Sequence, residues 1–516
     1  MSDSDTPLYA AREPIFPRRV SGAFRRLKWQ IMMVTLGIYY VTPWIRWDRG
    51  ANLPDQAVLV DMANRRFFFF GIEIWPHEFY FVAGLLVMAG LGLFLFTAAL
   101  GRVWCGYACP QTVWTDLFLA VERWVEGDRN ARMRLHKAPW SARKARLRIT
   151  KWALWLAIAI ATGGAWVFYF ADAPTLLRDL VTLNAAPVAY GSIAVLTATT
   201  FVFGGFMREQ VCIYMCPWPR IQGAMMDEDT LTVAYRDWRG EPRGKGLRRR
   251  KSNTEVPDPQ ATTRAAGPKM GGRSPVIPMH FGETRAVIQR PKFYGDEPGD
   301  CIDCNACVNV CPMGIDIRDG QQMACITCAL CIDACDEVME KIGKQRGLID
   351  YLALSDAPRE RAGEAPKPAR KHILRPRNLI YFGLWAAFGL ALLVALLVRP
   401  EIEATIAPVR NPTFVTLSDG SIRNAYDLRI RNREGEARAM EVSLADAPGL
   451  AIALEGTEDG TVTVPADTQG LTRLYVTAPE GSAPATTSRT DIEIEVRDTT
   501  SGATARVDTT FDGDDR

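Results

Sequence analysis

Residues 301–312 read CIDCNACVNVCP and residues 325–336 read CITCALCIDACD, so the same Cys-x2-Cys-x2-Cys-x3-Cys spacing occurs twice. In the bacterial form of this pattern, three closely spaced thiolates hold one 4Fe–4S cubane and the fourth cysteine reaches across to the other. By that rule Cys301, Cys304, Cys307 and Cys335 hold a first cluster, and Cys325, Cys328, Cys331 and Cys311 hold a second. A zinc site needs only four ligands and leaves two copies of the exchange spacing unexplained. Asp336 stands where a proline would usually follow the last cysteine, which alters the surroundings of Cys335 without removing a ligand.

The block therefore reads as a bacterial-type dicluster ferredoxin module over 301–345, a relay for two electrons. It lies between segments rich in Gly, Pro, Arg and Lys, at 236–300 and 346–377, which read as linkers. The run GLRRRK at 246–251 would suit nucleic acid or anionic headgroups. The rest of the chain favours headgroups, and no nucleic-acid partner is expected.

That rest is strongly apolar in places. Windows near 31–47, 79–100, 152–171, 188–207 and 379–398 approach the roughly 20 residues needed to cross a hydrocarbon core. The first is short and carries Pro43. No cleavable signal is read at the start of the sequence, so this window is expected to be an uncleaved first span. Arg and Lys accumulate in the leader (1–30) and between the second and third windows, whereas 172–187 offers only Arg178. The positive-inside rule then places the leader, the 102–151 loop and 208–377 in the cytoplasm. All twelve cysteines lie in those segments, as reduced thiols should.

Beyond the last window (378–399) the composition changes. Residues 400–516 lack Lys and Cys and contain alternating stretches such as AYDLRIRN, TVTVPA, LTRLYVTA and DIEIEVRD. That pattern predicts an outer, periplasmic immunoglobulin-like β-sandwich. The expected fold is a five-span α-helical membrane bundle with a dicluster ferredoxin insert and a C-terminal β-sandwich.

The remaining four cysteines repeat a motif within the first four spans (31–235). CGYACP at 105–110 follows the second window and CIYMCP at 212–217 follows the fourth. If each helix ran on through its motif, Cys105 and Cys109, and likewise Cys212 and Cys216, would share a face. Four convergent thiols suit a further iron–sulfur cluster, Cu(I), or dithiols cycling with disulfides. Met215, Met225 and Met226 are candidate soft auxiliaries, and Tyr107 and Tyr214 could hydrogen-bond to a cluster or sit at the membrane interface, with the interface favoured. Histidine is scarce, with four in the chain, and no P-loop or dinucleotide fingerprint is present.

VWCGYACPQTVWTDLF, REQVCIYMCPWPRIQGAMMD, RGEP at 239–242 and the double cysteine block together resemble the FixG/RdxA/CcoG family of cytochrome c oxidase accessory proteins. The resemblance covers nearly the whole chain. It implies an inner-membrane iron–sulfur oxidoreductase that reduces Cu(II) to Cu(I) for copper-centre assembly of a cbb-type oxidase. The implied partners are copper ions, oxidase assembly factors and a cytosolic electron donor that the sequence does not identify. Copper would meet electrons at or near Cys105, Cys109, Cys212 and Cys216. Two other roles fit the same residues: a quinol-oxidising electron-transfer subunit, and a non-catalytic assembly scaffold.

Overall fold

The computed structural model describes residues 14–50, 53–244, 298–400, 402–432, 436–445, 449–457, 459–466 and 468–514. The expected leader is thus described from residue 14, and most of the basic linker, 245–297, lies outside the described residues.

Five long helices dominate the apolar half: α1 (Ala23–Val41), α2 (Tyr80–Leu100), α3 (Ala142–Val167), α4 (Pro187–Met207) and α5 (Pro376–Leu397). Three of them, α2, α4 and α5, are long and apolar enough to cross a membrane. Three of the five expected spans are thus met by length and composition. Helices form at the other two sites, but α1 opens with Arg25, Arg26 and Lys28, and α3 with Arg143, Lys144, Arg146, Arg148 and Lys151. Those first turns are too polar for hydrocarbon.

The chain divides into two compact units, and the boundary falls inside each of the five helices, at 36/37, 91/92, 159/160, 196/197 and 381/382. Successive helices thus pass alternately from one unit into the other. All twelve cysteines belong to the first unit.

Within that first unit, aromatic stacking and small residues fix the helix ends. The Phe118 and Trp155 rings stack at 5.3 Å, and a Cβ on Gly205 would lie 2.9 Å from Trp155. Glu122, buried beside them, pairs with Arg132, Lys151 and Arg208 at 3.0–3.2 Å. Burial opposes its charge, but the three cations hold the carboxyl down to about 2. Part of the basic loop is therefore spent on internal pairing.

The segment Thr232–Tyr235 pairs antiparallel with Ile349–Leu352 and closes the base of the ferredoxin module. The RGEP stretch folds onto it as well, because Arg239 pairs with Asp300 at 2.6 Å and donates to the Arg346 carbonyl at 2.8 Å.

In the second unit, α2 and α5 approach through small residues. A Cβ on Gly84 would lie 2.6 Å from Leu392, and one on Gly389 would lie 3.0 Å from Met88. A three-stranded sheet, Val58–Asp61, Arg66–Phe69 and Ile72–Ile74, is an element that the sequence did not announce.

The tail is a two-sheet sandwich. One sheet runs Ala451–Leu454, Gln469–Ala478, Ile422–Asn432, Ile402–Pro408, with Val415–Thr416 also on Ile422–Asn432. The other runs Thr461–Val464, Arg438–Ala445, Thr490–Asp498, Thr504–Phe511. Inward residues alternate along Ile422–Asn432 and bury Tyr426, Leu428 and Ile430. Leu428→Ala should cost about 2–5 kcal/mol, because the fully enclosed side chain leaves a cavity. Protease resistance of the tail under a urea gradient measures this loss.

Candidate functional site: two thiol cages and a second cysteine tier

The two cysteine blocks fold alike. Asp303 and Asn305 in the first, and Thr327 and Ala329 in the second, adopt left-handed backbone with φ between 52° and 58°. Non-glycine residues resist this conformation, so its occurrence at equivalent places marks a shape imposed on both loops. Each kinked loop leads into a helix, Ala306–Val310 and Leu330–Lys341.

The kinks turn the thiols inward onto two cavities. Cys301, Cys304, Cys307 and Cys335 line one, with Tyr235, Leu348 and Ile349. Cys311, Cys325, Cys328 and Cys331 line the other, with Met313, Ile315 and Ile317. Cys307 borders both, so the cages are adjacent. Four thiols in an otherwise apolar cage suit a 4Fe–4S cubane, which when bound supplies a one-electron carrier. Among the described residues no three His, Cys, Asp or Glu close around a single ion.

Burial pushes the Cys307 thiol up to about 11 and Cys311 up to about 12, so iron would have to displace protons there. Arg318 is buried beside the first cage and bonded to Asp316, Asp303 and Asn305. Asp336 accepts from the Gly347 N–H at 2.9 Å, so the residue that replaces a proline ties the helix to the following turn.

The second tier comprises Cys105, Cys109, Cys212 and Cys216. An α-helix does not run on through either pair. Both motifs close instead in a wider turn, with Cys109 N–H donating to Trp104 O at 2.9 Å and Cys216 N–H to Val211 O at 2.8 Å. The repeat seen in the sequence is thus also a repeat of backbone shape.

Cys105 and Cys212 sense the charge of the other thiols. Burial pushes Cys105 up to about 11, with Cys109 and Cys216 adding to the rise, and pushes Cys212 up to about 12, with Cys109, Cys105 and Cys216 adding to it. Cys105 Sγ donates to Gln222 Oε1 at 3.0 Å. Met215 is exposed and Met225 buried, whereas Met313, unnoticed in the sequence, shares a cavity with Cys212 and Glu209.

The two tiers touch. A Cβ on Gly106, between Cys105 and Cys109, would lie 2.7 Å from Ile326 O and 3.0 Å from Cys328 Cα. Tyr107 does not face an interface as expected. It is buried, and its hydroxyl donates to Cys328 O at 3.3 Å. Arg102 donates to Cys325 O at 2.8 Å. Cys105, Cys212, Cys311, Cys328 and Cys331 belong to one continuous apolar cluster. Nothing in the spacing of the cysteines pointed to Arg102, Gly106 or Gln222.

These features define a membrane-associated iron–sulfur protein with an electron-transfer role. Comparison with known proteins agrees. A 4Fe–4S dicluster domain matches residues 207–280 and 280–354, and a 4Fe–4S binding domain matches 81–128, which contains the first cysteine pair. The Ig-like fold at the C-terminus of FixG matches residues 392–514. Protein RdxA of Cereibacter sphaeroides is 62% identical over 492 residues, 95% of each chain. Nitrogen fixation protein FixG of Rhizobium meliloti is 53% identical over 503 residues, 92% of this chain and 88% of FixG. A crystal structure of a FixG-related protein from Vibrio parahaemolyticus covers 22% of this chain and 98% of its own, at 14% identity and a TM-score of 0.20. The chain belongs to the FixG/RdxA family.

Proposed function

We propose that this protein is a cupric reductase of the bacterial inner membrane, which makes Cu(I) for the copper centre of a cbb-type cytochrome c oxidase. The observation that carries the reading is the seat of the CGYAC turn on the Cys325–Cys328 loop, with Gly106 against the backbone of Ile326 and Cys328. That packing puts the turn that carries Cys105 and Cys109, whose thiols are soft ligands that favour Cu(I) over Cu(II), directly beside one of the two cages, and Cys212 shares the apolar cluster of that cage.

The side chains imply a direction. Cys304 is the exposed cysteine among the eight of the module, so a soluble one-electron carrier would approach the cage of Cys301, Cys304, Cys307 and Cys335. The cage of Cys311, Cys325, Cys328 and Cys331 lies on the side of Cys105 and Cys212. Each electron arriving at the second tier converts one Cu(II) to Cu(I), and no proton need move in that step.

Five crossings would follow from the five apolar windows, with the basic first turns of α1 and α3 in the headgroup zone. The positive-inside rule then puts the ferredoxin module in the cytoplasm and residues 400–516 in the periplasm, where oxidase assembly factors would be met.

Protein purified without oxygen, reduced and freed of reductant, should convert roughly two Cu(II) per chain when its two cubanes are one-electron carriers, as read by a Cu(I)-specific chelator. Reduced clusters that leave Cu(II) untouched would overturn the reading and favour a scaffold.

A further inference from the structure

The segment before α1 is wedged between the ferredoxin module and the basic loop. Toward the module, Arg18 N–H donates to Asn309 O at 2.7 Å, and Asn309 lies between Cys307 and Cys311. Asp333, between Cys331 and Cys335, accepts from Phe24 N–H at 3.3 Å and from Arg25 N–H at 2.7 Å. Those are first-turn donors of α1, which have no partner within their own helix. Their partial positive charge favours a carboxylate. Gly22 permits the approach, since a Cβ there would fall 2.2 Å from Asp333 Cγ.

Toward the basic loop, Arg25 Nη1 donates to both carboxylate oxygens of Asp116, at 2.8 and 2.9 Å, and Arg129 donates to Phe16 O at 2.7 Å. Arg132 donates to Pro17 O, and Arg19 N–H donates to Asp128 at 3.0 Å. Asp116 lies on the helix Pro110–Glu126 that starts immediately after Cys109. One strip of chain therefore grips the segments carrying the exchanged cysteines, Cys311 and Cys335, and also the helix that issues from the second thiol tier.

We propose that residues 15–25 form a latch that holds the ferredoxin module in register with the membrane-end thiols. Asp333 is its positioning residue, and Gly22 is the gap that lets it close. The inference rests on the relay reading above, but its first readout does not depend on copper. In Asp333→Ala and, separately, Gly22→Val, iron content and the spectra of the reduced clusters should stay as in the wild type. Hydrogen exchange at Phe24 and Arg25 should rise at least tenfold. Asp333→Asn, which still offers an accepting oxygen, should restore most of the protection.

In the same variants, reduction of the clusters by dithionite should be unchanged, while their reoxidation by Cu(II) slows about tenfold or more, as loss of orientation would cause. Unchanged exchange at Phe24 and Arg25 would overturn the latch. Raised exchange with unchanged reoxidation by Cu(II) would overturn its positioning role. If wild-type clusters are not reoxidised by Cu(II) at all, the copper reading fails, and the exchange data alone decide whether the latch stands.

Discussion

Replacing Cys105, Cys109, Cys212 and Cys216 together by serine is expected to abolish Cu(I) formation while the ferredoxin module keeps its iron. The substitution is close in volume, and a serine hydroxyl in place of the Cys105 thiol could still donate to Gln222 Oε1, as the thiol does at 3.0 Å. What disappears is soft ligation: a hydroxyl is a hard oxygen that does not favour Cu(I). The eight module cysteines lie in separate cages, so about eight irons per chain should remain in the variant.

Iron in the wild type then separates two chemistries for the second tier. About eight irons in both proteins means the four thiols hold no cubane and act as copper ligands or as redox dithiols. About four more in the wild type means they hold a further cubane, as the match of residues 81–128 to a 4Fe–4S binding domain suggests. A variant that reduces copper at the wild-type rate would remove these thiols from the mechanism.

Much of this arrangement is legible in the sequence because cysteine spacing is a local code. The exchange pattern in 301–336 pairs Cys311 with the second block and Cys335 with the first; Cys335 lines the cavity of the first block and Cys311 that of the second, with Cys307 bordering both. The recurrence of Cys-x-Tyr-x-Cys-Pro likewise foretells a repeated turn, although its wide closure on Trp104 and Val211 is not encoded in the spacing.

What stays hidden depends on contacts between distant residues. Tyr107 reads as an interface aromatic until the 325–328 loop covers it, and Asp333 reads as a polar helix residue until Gly22 is brought against it. The sheet over 58–74 escapes notice because Phe67, Phe68, Phe69 and Phe70 give no alternation of apolar and polar residues. The polar first turns of α1 and α3 mislead for the opposite reason. Apolar windows locate the hydrocarbon part of each helix and say nothing of the buried partners, such as Asp116 and Glu122, that receive Arg25 and Lys151 just before it.

Gly106→Val should uncouple the two tiers without emptying either. The added Cβ would meet Ile326 O at 2.7 Å and Cys328 Cα at 3.0 Å, and these are backbone atoms that cannot rotate away. Either the CGYAC turn lifts off or the 326–328 loop retreats. Both responses widen the gap that an electron must cross, and both strain the bond from Tyr107 to Cys328 O. A displacement of about 1 Å at a reacting centre can cost on the order of a hundredfold in rate, so Cu(II)-driven reoxidation of the reduced clusters should fall at least tenfold. Reduction by dithionite should not change, because the exposed Cys304 lies in the other cage. Gly164→Ala supplies the control, since a Cβ there meets nothing within 4 Å. Equal reoxidation rates in the wild type and Gly106→Val would mean that electrons leave the module by a route that bypasses the CGYAC turn, and the seat of Gly106 on the cluster loop would then be packing alone.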